Sequence, residues 1–309
     1  MTAPLRLGTR RSPLATVQAQ SVAAAVRERT GREVALVPVT THGDTSRAAL
    51  AQIGGTGVFV GALREALIAG EVDFAVHSLK DLPTAEAEGI RLAAVPARED
   101  PRDALVARDG LTLGELPTGS TIGTGSPRRA AQLRALGLGL EVVDVRGNVD
   151  TRLRLVESGD VDAVVLARAG LRRLDRLDVV TEVIDPLQML PAPGQGALAV
   201  ECRSGDTTTA DLLGTLDDRP TRLVAEAERT LLAALEAGCS APVGALGEAA
   251  DGEHVTELYL RAAVIAVDGS ASVRLSATGP LDEAARIGRD LAADLLAEGA
   301  ADLMWERVP

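Results

Sequence analysis

Short apolar runs alternate with helical spacing along the first two thirds of the chain. Leu5–Gly8 reads as a strand. Ser12-Pro13 then opens a helix, because serine caps the free N–H groups of a first turn and proline suits the first helical position. Leu14, Val17, Val22 and Val26 keep an apolar face, and Gly31 stops the helix. Val34–Val39 reads as a strand, residues 42–57 as a polar Gly-rich loop, and Val58–Ala69 as a helix ended by Gly70. Val72–Val76 is a buried strand that leads into His77-Ser78-Leu79-Lys80-Asp81-Leu82-Pro83.

The same grammar returns further on. Thr121–Gly123 is a strand, Ser126-Pro127 opens a helix, and Leu140–Val145 is a strand ending in Arg146-Gly147-Asn148. A helix through Leu153 and Val156 stops at Gly159, and Val161–Leu166 is a strand. Gly8-Thr9-Arg10-Arg11-Ser12-Pro13 matches Gly123-Thr124-Gly125-Ser126-Pro127, and Gly70-Glu71-Val72-Asp73 matches Gly159-Asp160-Val161-Asp162, in the same order. Two similar α/β domains with mainly parallel sheets follow, with ligands expected outside the strand carboxyl ends. Proline at 96 and 101, and Pro191-Ala192-Pro193-Gly194-Gln195-Gly196, mark two crossings between them. After a long helix at about Pro220–Ala237 the pattern changes. Val255–Val267 and Ser272–Ala277 read as antiparallel strands and Leu281–Glu298 as an amphipathic helix, a small α+β third domain.

Charge narrows the function. The chain has 309 residues and a net charge of −12, with only four aromatic residues, Phe59, Phe74, Tyr259 and Trp305. A nucleic-acid binder needs a basic face and stacking platforms, so that class is disfavoured. The acidity sits at the end: residues 1–100 are net 0, 101–190 net −1 and 191–309 net −11. An anionic ligand therefore belongs to the first two thirds. No apolar run is long enough to span a membrane, and Met1–Leu7 is not a signal peptide, so a cytoplasmic protein is expected.

The basic residues are 31 arginines and one lysine, Lys80, which excludes a Walker A loop. Both Ser-Pro helix starts are anion sites in principle, through free N–H groups and the helix dipole. Arg10-Arg11 stands at one and Arg128-Arg129 at the other. Arg146, Arg152, Arg168, Arg172 and Arg173 follow strand ends. Arginine's fork suits carboxylates, so the set reads as a polyanion site, against the plainer reading of solvated helix faces. Asp81 beside Lys80 is open to two readings, an ion pair or a catalytic carboxylate. Cys202 lies in a strand-like run and reads as core, whereas Cys239 follows a helix stop at Gly238 on a loop where it could react. His42, His77 and His254 lack metal-ligand spacing, so no metal is expected. Two further readings compete: a non-catalytic two-lobed anion-binding protein, and a cysteine hydrolase using Cys239 and His77, which lacks any accompanying oxyanion motif.

At this point the residues carry a resemblance. Thr9–Ala15, Val76–Pro83, Gly123–Arg129 with Gln132-Leu133-Arg134, Arg146–Val149 with Thr151-Arg152-Leu153, Ala169-Gly170-Leu171, Pro191–Ala197 and Gly238-Cys239 resemble the porphobilinogen deaminase (hydroxymethylbilane synthase) family, in family order over nearly the whole chain. The resemblance implies two periplasmic-binding-protein-like (type II) α/β domains flanking a cleft, plus a small α+β C-terminal domain. Their bounds would be residues 1–97 with 197–216, then 98–196, then 217–309.

The implied enzyme is a monomeric cytoplasmic transferase. It condenses four porphobilinogen molecules into a linear tetrapyrrole on a dipyrromethane cofactor joined by a thioether to Cys239. Asp81 and Lys80 are the implied catalytic pair, and both also face the cofactor. Ser126, Arg128, Arg129 and Arg146 are implied cofactor ligands. Arg10, Ser12, Phe59, Arg146, Arg152, Arg173 and Gln195 are implied substrate ligands. Many members carry lysines around the Gly-rich loop. This chain has Gln52, Thr56 and Gly61 there, so no role for lid lysines carries over.

Overall fold

The computed structural model describes residues 3–39, 57–238, 241–252 and 255–304, with only the backbone at 57–59. The Gly-rich loop with Gln52 and Thr56, the side chain of Phe59, and Cys239, His42 and His254 lie outside the described residues. The chain forms two compact units, Met1–Glu99 with Ala197–Arg222, and Asp100–Gly196 with Leu223–Pro309.

In the first unit a five-stranded sheet runs in the order Val34–Pro38, Leu5–Thr9, Phe74–Ser78, Leu198–Arg203, Ile90–Ala94. Side chains alternate across it, so each face recruits its own helices. Phe74 and Val76 pack with Leu7 and Val200 under Ala19, Val22 and Val26 of the helix Pro13–Thr30 and Leu213 of Thr207–Gly214. Ala75 faces the other way, onto Leu63 and Leu67 of the helix Gly57–Ile68. Cys202 is fully buried in this core, and burial pushes its thiol pKa up.

The second unit repeats the plan. Its sheet runs Glu141–Val143, Thr121–Gly123, Ala163–Ala167, Asp103–Ala107, Glu182–Val183, position for position the same order. It also holds a three-stranded antiparallel sheet, Val243–Asp251, Thr256–Ile265 and Ser272–Pro280. The helices Arg219–Ala234 and Ala284–Ala297 cover one face of that sheet through Leu231, Ile287 and Leu291. Ala131 and Leu190 pack with Leu246, Ala263 and Ile265, which joins the two layers of this unit.

The expected α/β architecture is present, with two differences. The five-stranded sheets are mixed rather than mainly parallel. In each, the first three strands are parallel, and the fourth, Leu198–Arg203 or Asp103–Ala107, is antiparallel to both neighbours. That fourth strand enters from a crossing segment instead of a βαβ crossover, so its polarity is free to reverse. The strands Ile90–Ala94, Asp103–Ala107 and Val243–Asp251 were also not expected.

The repeated Gly-x-Val-Asp segments show why two strands start two residues later than expected. The Asp73 carboxylate accepts the Arg6 backbone N–H at 2.8 Å, and Asp162 accepts that of Thr121 at 2.7 Å. Each aspartate also donates its own N–H to the same residue's carbonyl. The carboxylate thus continues the strand pairing, and the regular ladder begins after it. The kinship read from sequence is therefore repeated in the hydrogen bonds.

Candidate functional site

Parallel strands bring their carboxyl ends to one edge, and in both units the expected polar residues gather there. In the first unit, Arg10–Ser12 follows Leu5–Thr9, and the single turn Leu79–Asp81 follows the adjacent Phe74–Ser78. Ser12 caps the first helix as expected, accepting the Ala15 N–H at 3.3 Å. Arg10 and Ser12 are half-buried. Lys80 is half-buried and Asp81 exposed, at the end of a turn held from several sides. Buried Gln18 donates Nε2–H to Ser78 Oγ at 3.0 Å, and the Leu79 N–H reaches Ala197 O at 3.0 Å.

Behind that turn lies a group the sequence reading missed. Glu201 is only 3% exposed. It accepts both Arg64 Nε–H and Nη2–H, at 3.0 and 2.6 Å, and stands 3.3 Å from His77 Nε2. Burial alone would raise its pKa, but the hydrogen bonds and charges of His77 and Arg64 hold it at about 2.

In the second unit, Thr124–Ser126 follows Thr121–Gly123, Asp144–Arg146 follows Glu141–Val143, and Arg168 follows Ala163–Ala167. Gly125 is required by crowding, because a Cβ there would lie 2.7 Å from Val145 O. Ser126 caps the helix Pro127–Ala135 as expected. Arg128 and Arg129 were expected to meet a bound anion, yet they are 4% and 5% exposed, and their Nη groups are engaged internally. Arg128 Nη2–H and Arg129 Nη2–H donate to the two oxygens of Asp103 at 2.9 and 2.8 Å. Their Nη1–H groups reach Leu190 O and Val165 O. Gln195 Nε2–H adds a third bond to Asp103 at 2.8 Å and one to Pro101 O at 2.7 Å.

Asp103 itself is fully buried. Burial would lift its pKa, but the charges of Arg128 and Arg129, with bonds from Arg129 and Gln195, hold it far below the carboxylate range. Two guanidiniums thus share one carboxylate, and positive charge is left over. Among the described residues neither Arg128 Nε nor Arg129 Nε has an acceptor, although both are buried. Half-buried Arg152 feels the surplus. Its pKa is pushed down to about 10, first by burial and then by Arg129 and Arg146, against Asp144. Its Nε–H reaches Gly147 O at 3.0 Å. Arg146 is exposed and paired with Asp144 at 2.9 Å. Arg173, expected at a ligand, donates to Gly196 O at 2.6 Å and so braces the returning chain.

A cavity of about 650 Å³ lies beside Asp144 and Arg146, and Arg128 and Arg129 are not part of its lining. Thr124, Ser126, Arg134, Asp144 and Arg146 line it on one side, and Ala237, Gly238, Ala241 and Pro242 on the other. The second set flanks Cys239 in the chain, so the residues around the expected attachment point share a cavity with two expected cofactor ligands, Ser126 and Arg146. Such a volume suits a small organic ligand. Among the described residues no group of His, Cys, Asp and Glu could hold a metal ion.

Comparison with known proteins gives a consistent family. The description "Porphobilinogen deaminase, dipyromethane cofactor binding domain" matches residues 5–211, and "Porphobilinogen deaminase, C-terminal domain" matches 222–297. The chain is 61% identical to "Porphobilinogen deaminase 1" of Streptomyces avermitilis over 98% of both chains. It is 58% identical to "Porphobilinogen deaminase" of Mycobacterium tuberculosis, over 97% of this chain and 98% of that one. A solved periplasmic substrate-binding protein of a Coxiella burnetii ABC transporter is 17% identical over 73% of this chain and 96% of that one, with a TM-score of 0.43, which carries no argument.

The Glu201 group makes a pH-dependent contribution to stability. Its folded pKa, about 2, lies below the ordinary 4.5, so the contribution is complete above about pH 4.5 and is lost as pH falls toward 2. Urea denaturation between pH 6 and pH 3 should show a fall of which up to about 2 kcal/mol depends on this group. Glu201→Gln should flatten that slope, and an unchanged slope would contradict the assignment.

Proposed function

The chain belongs to the porphobilinogen deaminase family, and on that premise we propose that it joins four porphobilinogen molecules head to tail, releasing one ammonia for each, and that one water then hydrolyses the finished chain free as hydroxymethylbilane. It is an enzyme of tetrapyrrole synthesis, of the transferase type. The proposal includes a dipyrromethane cofactor held through a thioether to Cys239, in a C-terminal domain of residues 217–309. The observation that carries it is the cavity shared by Ser126, Arg146 and the residues flanking Cys239.

The residues present fit such a group. Each pyrrole of the cofactor and substrate carries an acetate and a propionate. Among the described residues, Arg128, Arg129, Arg146 and Arg152 face only Asp103 and Asp144 as nearby carboxylates, so the cluster is short of negative charge. The unmatched Nε–H groups of Arg128 and Arg129 are donors without acceptors among the described residues, a costly arrangement that a bound carboxylate relieves. When bound, the dipyrromethane supplies the electron-rich pyrrole carbon to which the first added ring is joined.

The chain's own groups do the rest. Loss of ammonia from porphobilinogen leaves positive charge spread onto the pyrrole nitrogen. The exposed Asp81 carboxylate stabilises that charge, holds the pyrrole N–H and accepts or returns its proton. Lys80 adds a positive charge at the same turn for a ring carboxylate. Arg10 and Ser12 at the first helix start, with Arg146 and Arg152, hold further carboxylates. Phe59 would pack beside an incoming ring. Gln195 and Arg173 are engaged with the crossing chain, so they act on the ligand only by exchanging those bonds. The protein would work as a monomer in the cytoplasm, without nucleic acid. No helix among the described residues is long and apolar enough to cross a membrane.

Intact mass under denaturing conditions tests the reading, because a thioether survives unfolding and a bound anion does not. Wild type should exceed its polypeptide mass by a two-ring adduct, and added porphobilinogen should give a ladder spaced by one ring. Cys239→Ser should show the bare mass, while buried Cys202→Ser keeps the adduct. A bare wild type in every condition would instead support a non-catalytic anion-binding protein. Asp81→Asn should keep the adduct and lose turnover on the order of 10²–10³-fold. Near wild-type steady-state turnover would remove Asp81 from the mechanism.

A further inference from the structure

We infer that Asp103 is a positioning residue for the reaction: it fixes the guanidiniums of Arg128 and Arg129 by their Nη edges and leaves their other N–H groups for a ligand carboxylate. The inference rests on the functional reading above and adds to it a residue that touches neither cofactor nor substrate.

The geometry carries the argument. A guanidinium has five N–H groups in a rigid fork, so two bonds on its Nη atoms set the direction of the rest. Arg128 and Arg129 each donate one such bond to Asp103 and one to a backbone carbonyl, of Leu190 and Val165. Those carbonyls lie on separate elements: Leu190 precedes the crossing segment, and Val165 is in the strand Ala163–Ala167. The carboxylate is the one feature common to both forks. Gln195 completes the arrangement, donating to Asp103 and to Pro101 O from the returning chain. Glu228 holds the next residue back in that chain, accepting the Gly194 N–H at 2.6 Å and the Gly247 N–H at 2.8 Å. The arginine pair is thereby tied to the sheet, to the crossing chain and to the layer that leads toward Gly238.

Charge explains why an aspartate suits the position. With a neutral residue, two like charges would be buried side by side, which opposes folding. With a second carboxylate the pair would be fully matched and would have no demand for a ligand. One carboxylate keeps the fold and leaves a deficit of negative charge. Asparagine keeps the shape, but it replaces one acceptor oxygen by an NH₂ that confronts a guanidinium donor, so one arginine must be released.

The test uses the full chain, comparing Asp103→Asn and Asp103→Glu with wild type. Phenylglyoxal modification mapped by peptide mass reads the freedom of Arg128 and Arg129, with exposed Arg154 as the internal reference. Adduct mass, and kcat and KM for porphobilinogen, read the reaction. In Asp103→Asn, Arg128 or Arg129 should react at least ten-fold faster while Arg154 is unchanged. Adduct loading should fall or KM rise about ten-fold, and Asp103→Glu should recover most of that loss. A folded Asp103→Asn with wild-type arginine reactivity, loading and KM overturns the role. Equal destabilisation of both variants with no recovery in Asp103→Glu also overturns it, since a merely structural residue behaves so. Where Asp103→Asn does not fold, Asp103→Glu decides alone, since the longer side chain keeps the charge and moves the forks: a residual shift of about two- to three-fold in KM or loading, with altered reactivity of Arg128 or Arg129 at an unchanged melting temperature, supports the role, and wild-type values of all three overturn it. A wild type with neither adduct nor turnover overturns the functional reading, and the phenylglyoxal comparison still decides the position of the arginines.

Discussion

Two buried arginines sharing one buried carboxylate set the terms for the rest of this molecule. Arg128, Arg129 and Asp103 are almost wholly removed from solvent. An unmatched charge in such surroundings is expensive, and chains keep such an arrangement where hydrogen bonds are complete or a ligand completes them. Here the Nη bonds are made and the Nε bonds are not, among the described residues. The pKa of Arg152 is lowered first by burial, and then by Arg129 and Arg146, which add like charge beside it. An acidic protein, net −12 overall, therefore concentrates positive potential in one place. Acidic surface elsewhere does not cancel it, because exposed charges are screened over about a Debye length while buried ones are screened much less.

The repeated lobe plan explains how such a site comes to be built. Each five-stranded sheet delivers the ends of adjacent parallel strands to one edge, and each edge carries a serine-capped helix start and arginines. The two copies have diverged in chemistry. In the first, the edge presents Lys80 and Asp81 on a braced turn, with Glu201, Arg64 and His77 behind it. In the second, it presents the arginine cluster and the cavity bordered by the flanks of Cys239. On the proposed reading, the first edge supplies a carboxylate for a developing cation and the second a cluster for carboxylates.

Much of this was legible in sequence because it is local. Ser12 and Ser126 as caps, Gly31 as a stop and the paired Gly-x-Val-Asp segments depend on neighbours a few residues away. Strand polarity did not, since periodicity is the same in either direction, and so the mixed sheets were missed. Asp103 was also missed. It heads a fully buried strand just after Pro101, where an acid reads as part of a turn, and its partners lie 25, 26 and 92 residues along the chain. Paired arginines on a helix read as a solvent-facing or ligand-facing set, and nothing local announces that Arg128 and Arg129 turn inward. The roles proposed for Asp81 and Cys239 rest on family likeness, because a short turn and a loop after a helix stop have many uses.

The central claim is that the charge deficit around Arg128 and Arg129 is satisfied by pyrrole carboxylates carried on Cys239. A crystal structure of the protein as purified tests it most directly. The account predicts continuous density from the Cys239 sulfur into a two-ring pyrrole, with ring carboxylates accepting bonds from Arg128 or Arg129 and from Ser126 or Arg146. Pyrrole rings attached elsewhere, or an arginine pair bonded to Asp103 and backbone alone while the pyrroles are bound, would contradict it.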